Sequence, residues 1–256
     1  MNEFTVDRKA LLKFLPLFGK ELQDITLRIK EDEIEAAVGH MTHYLKACMP
    51  TFDGWLCDTG SITINDVPRL ITFLKASTSV SAQLSQTEAG KTLHVRCGNS
   101  KLQLPSSTYV RSQREVGLIE RLVKEADENL WTKWVSFPLN YSATINTGEF
   151  GPAVQMTKVV GDKLSCKTNF SAADGEMVIH AGKGAKAKMF VTVPLIDAEG
   201  PQDRAAKSTF GYWLPSLLDC LPPGEVKAHT GEDTVMVFRQ QDNFLLIVMD
   251  QDYEED

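Results

Sequence analysis

Two short motifs in this chain of 256 residues carry side chains that could bind a metal ion or a phosphate group. His40 and His43 form an HxxH pair, but a tetrahedral metal site needs further protein ligands and the sequence shows no third one. The segment Gly182-Lys183-Gly184-Ala185-Lys186 is glycine-rich and basic, yet it lacks the GxxxxGK[ST] spacing and leads into no helix. We therefore predict no metal site, and we interpret the glycine-rich segment as the tip of a basic hairpin.

The sequence shows no arrangement of residues that is typical of an active site. No Ser/His/Asp, Cys/His or paired-carboxylate pattern stands out, and the acidic residues concentrate in predicted turns, in a charged connector and in the end segment 252–256. The cysteines are odd in number and lack CxxC spacing, which favours buried free thiols; they are Cys48, Cys57, Cys97, Cys166 and Cys220. We predict that the protein is not an enzyme and uses no cofactor.

The first predicted helix carries basic side chains beside an apolar stripe. Asp7 is a suitable N-cap for a helix that begins at Arg8, and Pro16 favours a kink or an early end. Three cations fall at intervals of four and seven and so share one face: Lys9, Lys13 and Lys20. The apolar stripe beside them consists of Leu11, Leu12, Leu15 and Phe18.

A second amphipathic helix is predicted twice, which indicates a duplicated domain. The segment Pro68–Leu74 recurs as Pro215–Leu221, and each copy follows a short strand-like run and precedes three further strands. Asp66 can cap the first copy, where Arg69, Thr72 and Lys75 share one face; the second copy carries no Lys or Arg. We predict a first domain at 1–110, a charged and partly helical connector at 111–133, and a second domain at 134–256.

Alternating apolar residues and turn signals predict strands in both halves. In the first half they are expected at 4–6, 25–29, 34–38, 44–49, 61–65, 80–86, 92–97 and 101–104. In the second half, 139–148 is predicted as a weak helix, and strands are expected at 154–160, 163–169, 176–180, 188–193 and 208–210, followed by three that begin near Glu225, Thr234 and Asn243.

Composition and charge narrow the class of protein. With 43% hydrophobic and 24% charged residues, the chain has the composition of a globular protein able to bury two cores. Its net charge of −7 argues against nucleic-acid binding through an overall positive field, but a local basic surface remains compatible with it. The sequence shows no apolar run long enough to span a membrane and no signal peptide, so we expect a cytoplasmic, intracellular protein.

The order of these elements resembles that of the DNA sliding clamps, in particular the two-domain kind that includes proliferating cell nuclear antigen and the clamps of T4-like phages. The strongest local match is 61–76, where a strand leads into an amphipathic helix, and 4–13 resembles the opening of a clamp. The resemblance implies an α+β fold with two similar clamp domains per chain, helices lining an inner face and antiparallel sheets outside. It also implies a homotrimeric ring around double-stranded DNA, with a DNA polymerase and a clamp loader as partners.

Within such a ring, the basic helix faces would meet DNA, because phosphate contacts supply affinity without reading bases. The residues predicted to face DNA are Arg8, Lys9, Lys13, Lys20, Arg69 and Lys75, with Lys183 and Lys186 from the glycine-rich loop. The alternative is that these residues form ordinary solvated helix faces. The limited agreement with cellular clamps leans toward a phage protein, which would place it in the cytoplasm of a host cell.

The resemblance also implies a pocket for a partner peptide beneath the connector and beside the last strand. The matching positions are Met41, His43, Leu45, Ile119, Leu122, Met249, Asp250 and Gln251. An aromatic anchor of the partner would supply most of the affinity in such a pocket. Simple core packing is the alternative for each residue.

Two other functions remain open at this point. One is a clamp-like processivity factor that holds DNA on a basic face as a monomer or dimer, without closing a ring. The other is a small-ligand or catalytic protein built on a duplicated α+β scaffold, which would require a deep pocket lined by acids or histidines with perturbed pKa values.

Overall fold

A computed structural model describes most of the chain. The described residues are 2–18, 24–39, 42–50, 60–87, 91–106, 113–157, 159, 166–182, 188–210, 214–218, 221–241 and 243–250. They fall into two compact units, which are 1–39 with 45–116 and 40–44 with 117–256. The domain boundaries given above at 110 and 133 stay predictions.

The first half of the chain consists of short strands and two helices. In chain order they are β1 (Asn2–Asp7), α1 (Arg8–Phe14), β2 (Ile25–Ile29), β3 (Glu33–Gly39), β4 (His43–Pro50), β5 (Gly60–Ile64), α2 (Val67–Ala76), β6 (Ser81–Gln86), β7 (Thr92–Cys97) and β8 (Ser100–Pro105). One antiparallel sheet has the order β1-β6-β7-β8, and the other strands are ordered β4-β3-β2-β5. The predicted strands of this half are confirmed, with ends that shift by a few residues.

Both helices of the first half are capped by the predicted aspartates, which directly precede their first residues. The Ala10 N–H donates to Asp7 Oδ1 at 2.8 Å, and the Arg69 N–H donates to Asp66 Oδ1 at 3.0 Å. Each carboxylate thus satisfies an N–H group that the first turn of a helix leaves unpaired. α1 ends at Phe14 and continues as a 3₁₀ turn over Leu15–Phe18, which contains Pro16, so the predicted early end is confirmed.

The second half begins with the long helix α3 (Gln113–Glu128), which confirms the helical character predicted for the connector. Its other elements are β9 (Lys133–Trp134), β10 (Phe137–Pro138), β11 (Tyr141–Asn146), α4 (Thr147–Thr157), β12 (Cys166–Ser171), β13 (Glu176–Ala181), β14 (Met189–Pro194), β15 (Ile196–Glu199), β16 (Ala206–Phe210), α5 (Leu214–Leu218), β17 (Glu225–Thr230), β18 (Met236–Gln240) and β19 (Phe244–Val248).

The two halves repeat one plan, as the recurring helix motif predicted. The order β1-β6-β7-β8 of the first half corresponds to β11-β17-β18-β19, and β4-β3-β2-β5 corresponds to the sheet β14-β13-β12-β16. The registers agree as well, because Asp7 faces Ser81 where Asn146 faces Glu225. α1 corresponds to α4 and α2 to α5, so each repeat has two helices and two sets of antiparallel strands, and α3 stands outside the repeat.

The start of the second repeat was predicted wrongly. Residues 139–148 were expected as a weak helix, but β11 occupies 141–146 and its alternate residues Tyr141, Ala143 and Ile145 are buried. The strand expected at 154–160 is largely the end of α4. α4 contains Gly148, Gly151 and Pro152, which are poor helix formers, so its packing against β14, β13 and α5 overrides local propensity.

The end of α3 is fixed by an aromatic and ionic cluster in the second unit. Trp131 is buried, and its indole N–H donates to Asp127 Oδ1 at 2.6 Å. The Arg239 guanidinium lies 4.9 Å from the Trp131 ring centroid, and its Nη2 is 3.3 Å from the same Asp127 oxygen. Trp134 stacks on Trp131 at 6.0 Å between centroids. These contacts join the end of α3 to β18.

The described cysteines are free thiols. Cys97 and Cys166 are buried free thiols as expected, and Cys48 is a half-buried one, while Cys57 and Cys220 lie outside the described residues. In the described part of the chain, no helix combines the length and the apolar character that a membrane span requires.

Candidate functional site

Four cations of the first half lie exposed on α1 and α2, which contact each other. Lys9 and Lys13 are four residues apart on α1, so they share one face of that helix. Arg69 and Lys75 flank the exposed Thr72 on α2, while Val67, Leu70 and Leu74 are buried on the opposite side. The helix periods therefore separate a buried apolar side from an exposed basic side, as the sequence predicted. We call Lys9, Lys13, Arg69 and Lys75 the basic face.

Two of the predicted cations also bind the protein itself. Arg69 Nε lies 3.2 Å from Asp66 Oδ2 at the exposed surface, and this pair leaves the Arg69 side chain mostly accessible. Arg8 differs, because its guanidinium binds two backbone carbonyls. Its Nε donates to the Ser79 carbonyl at 2.6 Å and its Nη1 donates to the Leu74 carbonyl at 2.8 Å. The side chain is half-buried and links the start of α1 to the end of α2. This geometry gives Arg8 a structural role, so we leave it out of the basic face.

We expect Arg8→Met to lower the free energy of unfolding by about 2 kcal/mol, since it leaves two carbonyls without their charged donor. Lys9→Met removes the same charge from an exposed neighbour and is expected to change stability by less than about 0.5 kcal/mol. Chemical denaturation of both variants measures the difference. Equal effects of the two substitutions would show that the Arg8 hydrogen bonds contribute nothing specific.

The remaining cations that were predicted to face DNA are not assigned to the basic face. Lys20, Lys183 and Lys186 lie outside the described residues. The corresponding helices of the second half carry no Lys or Arg among their described residues, and α4 exposes Glu149 in its first turn. The described cations of the four helices therefore belong to the first half alone.

The residues predicted for a partner pocket have mixed surroundings. Leu45 is only 1% exposed and is a core residue of β4, whereas Ile119 and Leu122 on α3 are half-buried. The Met249 N–H donates to the Thr42 carbonyl at 2.8 Å, which places the chain beside His43 next to the end of β19. Asp250 accepts a hydrogen bond from the Thr209 N–H at 2.7 Å. Met41 and Gln251 lie outside the described residues, and the pocket stays a prediction.

One cluster in the described residues has the donor atoms of a metal site, although the sequence did not predict it. The ligand atoms of Glu33, Glu35 and Cys48 lie within 4.8 Å of one another. Cations of the protein already neutralise the buried Glu35 carboxylate, because Lys46 Nζ lies 2.9 Å and Lys30 Nζ 3.0 Å from its Oε2. Burial raises the pKa of the Cys48 thiol to about 11, so the thiol stays protonated at neutral pH. The cluster is best explained as an ion-pair network.

The pKa of Glu35 makes this network a source of pH-dependent stability. Burial alone would raise this pKa, but hydrogen bonds from Lys46 and Lys30 outweigh burial and lower it from 4.5 to about 2. Because the folded pKa lies below the unfolded one, the stabilisation is complete above about pH 4.5 and is lost as the pH falls towards 2. The contribution at neutral pH is on the order of 2–3 kcal/mol.

We expect Glu35→Gln to lower the free energy of unfolding by about 2–3 kcal/mol at pH 7. The difference in stability between wild type and variant should shrink as the pH approaches the folded pKa of Glu35, about 2. Glu31→Gln, at an exposed position in the turn between β2 and β3, serves as the control. Urea denaturation across an acid pH series measures both variants. A difference between wild type and Glu35→Gln that stays constant with pH would contradict the assigned network.

Comparison with known proteins gives structural matches alone. No known family profile matches the sequence, and no curated protein matches it either. The A. fulgidus PCNA, solved with the C-terminal region of FEN-1 bound, aligns over 100% of both chains with a TM-score of 0.69 and 14% identity. The PCNA of Thermococcus kodakaraensis aligns over 98% of this chain and 99% of its own, with a TM-score of 0.67 and 16% identity.

A bacterial clamp matches equally well over part of its length. The C. crescentus beta sliding clamp aligns with a TM-score of 0.71 and 11% identity, over 98% of this chain and 66% of that chain. These matches extend from end to end of the present chain. The chain therefore has the fold of the DNA sliding clamps, as the order of its elements suggested.

Proposed function

We propose that this protein is a DNA sliding clamp, a processivity factor that encircles duplex DNA and tethers a polymerase to its template. The observation that carries the proposal is the basic face, which lies on the helices of a chain with the sliding-clamp fold. A clamp requires a surface that attracts phosphates without reading bases, and exposed Lys and Arg on regular helices supply it. No bond is made or broken in this function, so no catalytic residue is required.

The proposed ring contains three chains. Each chain supplies two similar units. In the sliding-clamp family, which this chain resembles, chains with two domains form trimers, and the resulting ring contains six such units. The strands β8 and β14 are the outermost strands of their sheets in the described part of the chain. An outermost strand presents N–H and C=O groups that another chain can pair with. Pairing of β8 with β14 of the next chain joins two different surfaces, so repeated contacts can close a ring.

Among the outermost strands, β14 carries the clearest sign of a contact surface. Phe190 on β14 is 64% exposed and stacks on His180 of β13, with 4.4 Å between ring centroids. The outer side of β16 differs, because Asp250 already accepts the hydrogen bond of the Thr209 N–H. An exposed aromatic side chain on an open edge is the kind of residue that anchors an interface.

The DNA contacts proposed for the ring come from the first unit of each chain. The basic face lies on α1 and α2, whereas the described parts of α4 and α5 carry no cation. Around the ring, basic and neutral sectors would alternate. Affinity for DNA would then be weak and strongly dependent on salt, which suits a protein that stays on DNA through topology.

The partners proposed for the clamp are a polymerase, other DNA-processing proteins and a clamp loader. Two of the matched clamps were solved with segments of such proteins: the A. fulgidus PCNA with the FEN-1 region, and the Helicobacter pylori beta clamp with a DNA ligase peptide. For this chain we propose that a partner peptide contacts the region of His43, Ile119, Leu122, Met249 and Asp250. Titration of the protein with a clamp-binding peptide, followed by nuclear magnetic resonance, tests this contact region, because binding there should shift the resonances of these residues.

The mass of the protein in solution tests the proposed assembly. Light scattering across micromolar concentrations should give three times the chain mass of 28.4 kDa. A species that stays strictly monomeric or dimeric over this range would contradict the closed ring, and it would favour the open processivity factor that holds DNA on one face.

A further inference from the structure

The second half contains a cleft that the proposed function does not use. It has a volume of about 570 Å³ and lies between the start of α4 and the chain that follows α5. Its apolar walls are Phe150, Leu218, Leu221 and Pro223, and Asn146 and Gln155 add amide groups. No Lys, Arg, Asp or Glu belongs to its described lining. At the corresponding place of the first half lies the side chain of Arg8.

The first helices of the two repeats are in the same register at this place. The Arg8 N–H donates to the Val80 carbonyl at 2.9 Å, and in the second half the Thr147 N–H donates to the Gly224 carbonyl at the same distance. Thr147 therefore stands where the first half has Arg8. The buried side chains along the two helices agree with this register, in the pairs Leu11 with Phe150, Leu15 with Val154 and Phe18 with Thr157.

In the first half, the side chain of Arg8 occupies this place. Its guanidinium donates to the carbonyls of Leu74 and Ser79, at the end of α2 and in the loop that follows. Leu12, one turn further along α1, is half-buried beside it on the same helix. The space between the two helices of the first half thus contains a guanidinium on an aliphatic stem.

In the second half, three changes remove this filling. Thr147 replaces Arg8, and its short side chain donates to the Gly224 carbonyl at 2.9 Å. Gly151 replaces Leu12, and a Cβ atom at Gly151 would meet nothing within 4 Å. The segment from the start of α5 at Leu214 to Gly224 corresponds to the segment from the start of α2 at Val67 to Val80. It is three residues shorter. Together these changes open the cleft.

The chemistry of the cleft still suits the missing group. Its walls are apolar and can cover an aliphatic stem. The residues that correspond to Leu74 and Ser79 are Leu221 and Pro223, and both line the cleft. The Pro223 carbonyl accepts a hydrogen bond from Gln240 Nε2 at 3.3 Å and has a second lone pair for a further donor. The exposed Glu149 lies in the first turn of α4 and adds a negative charge near the cleft. A guanidinium suits such carbonyls better than an ammonium, because its planar donors bind two acceptors at once and it is less strongly hydrated.

We propose that the cleft between α4 and α5 binds an arginine side chain of a partner peptide. The arginine supplies from outside what Arg8 supplies within the first half: an aliphatic stem against the apolar walls and a guanidinium at the carbonyls of Leu221 and Pro223. The described lining of the site contains no residue of the basic face, so the two surfaces can be tested by separate substitutions.

Nuclear magnetic resonance titration of the whole protein tests the site. The probes are N-acetyl-arginine methylamide, N-acetyl-lysine methylamide and N-acetyl-norleucine methylamide, which share an aliphatic stem and differ in the end group. We expect the arginine probe to shift the amide resonances of Gly148, Gly151 and Gly224 saturably, and to bind about tenfold more tightly than the other two. Equal binding of the norleucine probe would overturn the preference for a guanidinium. Absence of shifts with every probe would overturn the site.

Two substitutions that fill the cleft from within locate the binding. Gly151→Leu restores the residue of the first half, and it replaces a helical glycine, so the protein should fold with equal or greater stability. Thr147→Arg restores the guanidinium itself. Both are expected to abolish the shifts caused by the arginine probe. Gly117→Leu, at a glycine of α3 that also has nothing within 4 Å of a built Cβ, should leave binding unchanged. Unchanged binding by Gly151→Leu and Thr147→Arg would place the probe elsewhere and overturn the proposal.

Discussion

Replacing Lys9, Lys13, Arg69 and Lys75 together by glutamine is expected to lower the affinity of the protein for duplex DNA at least ~100-fold at low salt. These are the exposed cations of α1 and α2, and each contact with a phosphate releases a condensed counterion. The slope of log K against log salt should become shallower by about 0.9 for every phosphate contact removed. Fluorescence anisotropy of a labelled duplex, measured over a series of salt concentrations, gives both quantities.

A matched variant distinguishes the effect of direct phosphate contacts on DNA affinity from the effect of the net charge of the protein. Lys91, Lys133, Lys207 and Arg204 are also exposed, and their replacement by glutamine changes the net charge by the same amount as the substitutions on the basic face. This control is expected to reduce affinity far less and to keep the salt slope of the wild type. If both variants lose the same affinity, DNA responds to the overall field of the protein, and the basic face has no special role.

Replacing Phe190 by aspartate is expected to separate the proposed trimer into monomers. Phe190 projects from the open strand β14 and is 64% exposed in the single chain, so it is available for burial against a neighbouring chain. Placing a carboxylate there loses the apolar contact and buries a charge without a partner, at a cost of at least ~3 kcal/mol per interface. Because a closed ring has the same contact at every joint, each joint weakens by more than about 100-fold.

The control for this variant is Val80→Asp. Val80 is 79% exposed and follows α2 in the first unit, whereas β14 belongs to the second, so the substitution adds the same charge at another exposed apolar residue. Sedimentation velocity should show monomers for Phe190→Asp and trimers for Val80→Asp, while circular dichroism shows both folded. A trimer that persists in Phe190→Asp would exclude β14 as a joint of the ring.

The elements predicted best are those whose local signals agree with their packing. Asp7 and Asp66 were recognised as caps because a carboxylate three residues before a free N–H group is a local device. The strands after α2 were found because their alternation matches the burial of Ala82, Leu84, Leu93 and Val95. Such signals lie within a few residues and need no knowledge of the rest of the chain.

The elements predicted wrongly are those in which tertiary packing decides. α4 contains two glycines and a proline, and it is helical because it packs on β14, β13 and α5. The role of Arg8 was also hidden, because its acceptors at Leu74 and Ser79 lie 66 and 71 residues away. A cation that fills the space between two helices looks in sequence like one that faces solvent. The same long-range contact made the unfilled cleft of the second half invisible until the two halves were compared.

An electron-microscope image of the purified protein tests most directly the proposed closure of this chain into a ring around DNA. We predict class averages that show a ring with pseudo-sixfold appearance and a central hole wide enough for a duplex. Averages that show only compact single chains, or open assemblies without a hole, would contradict the ring.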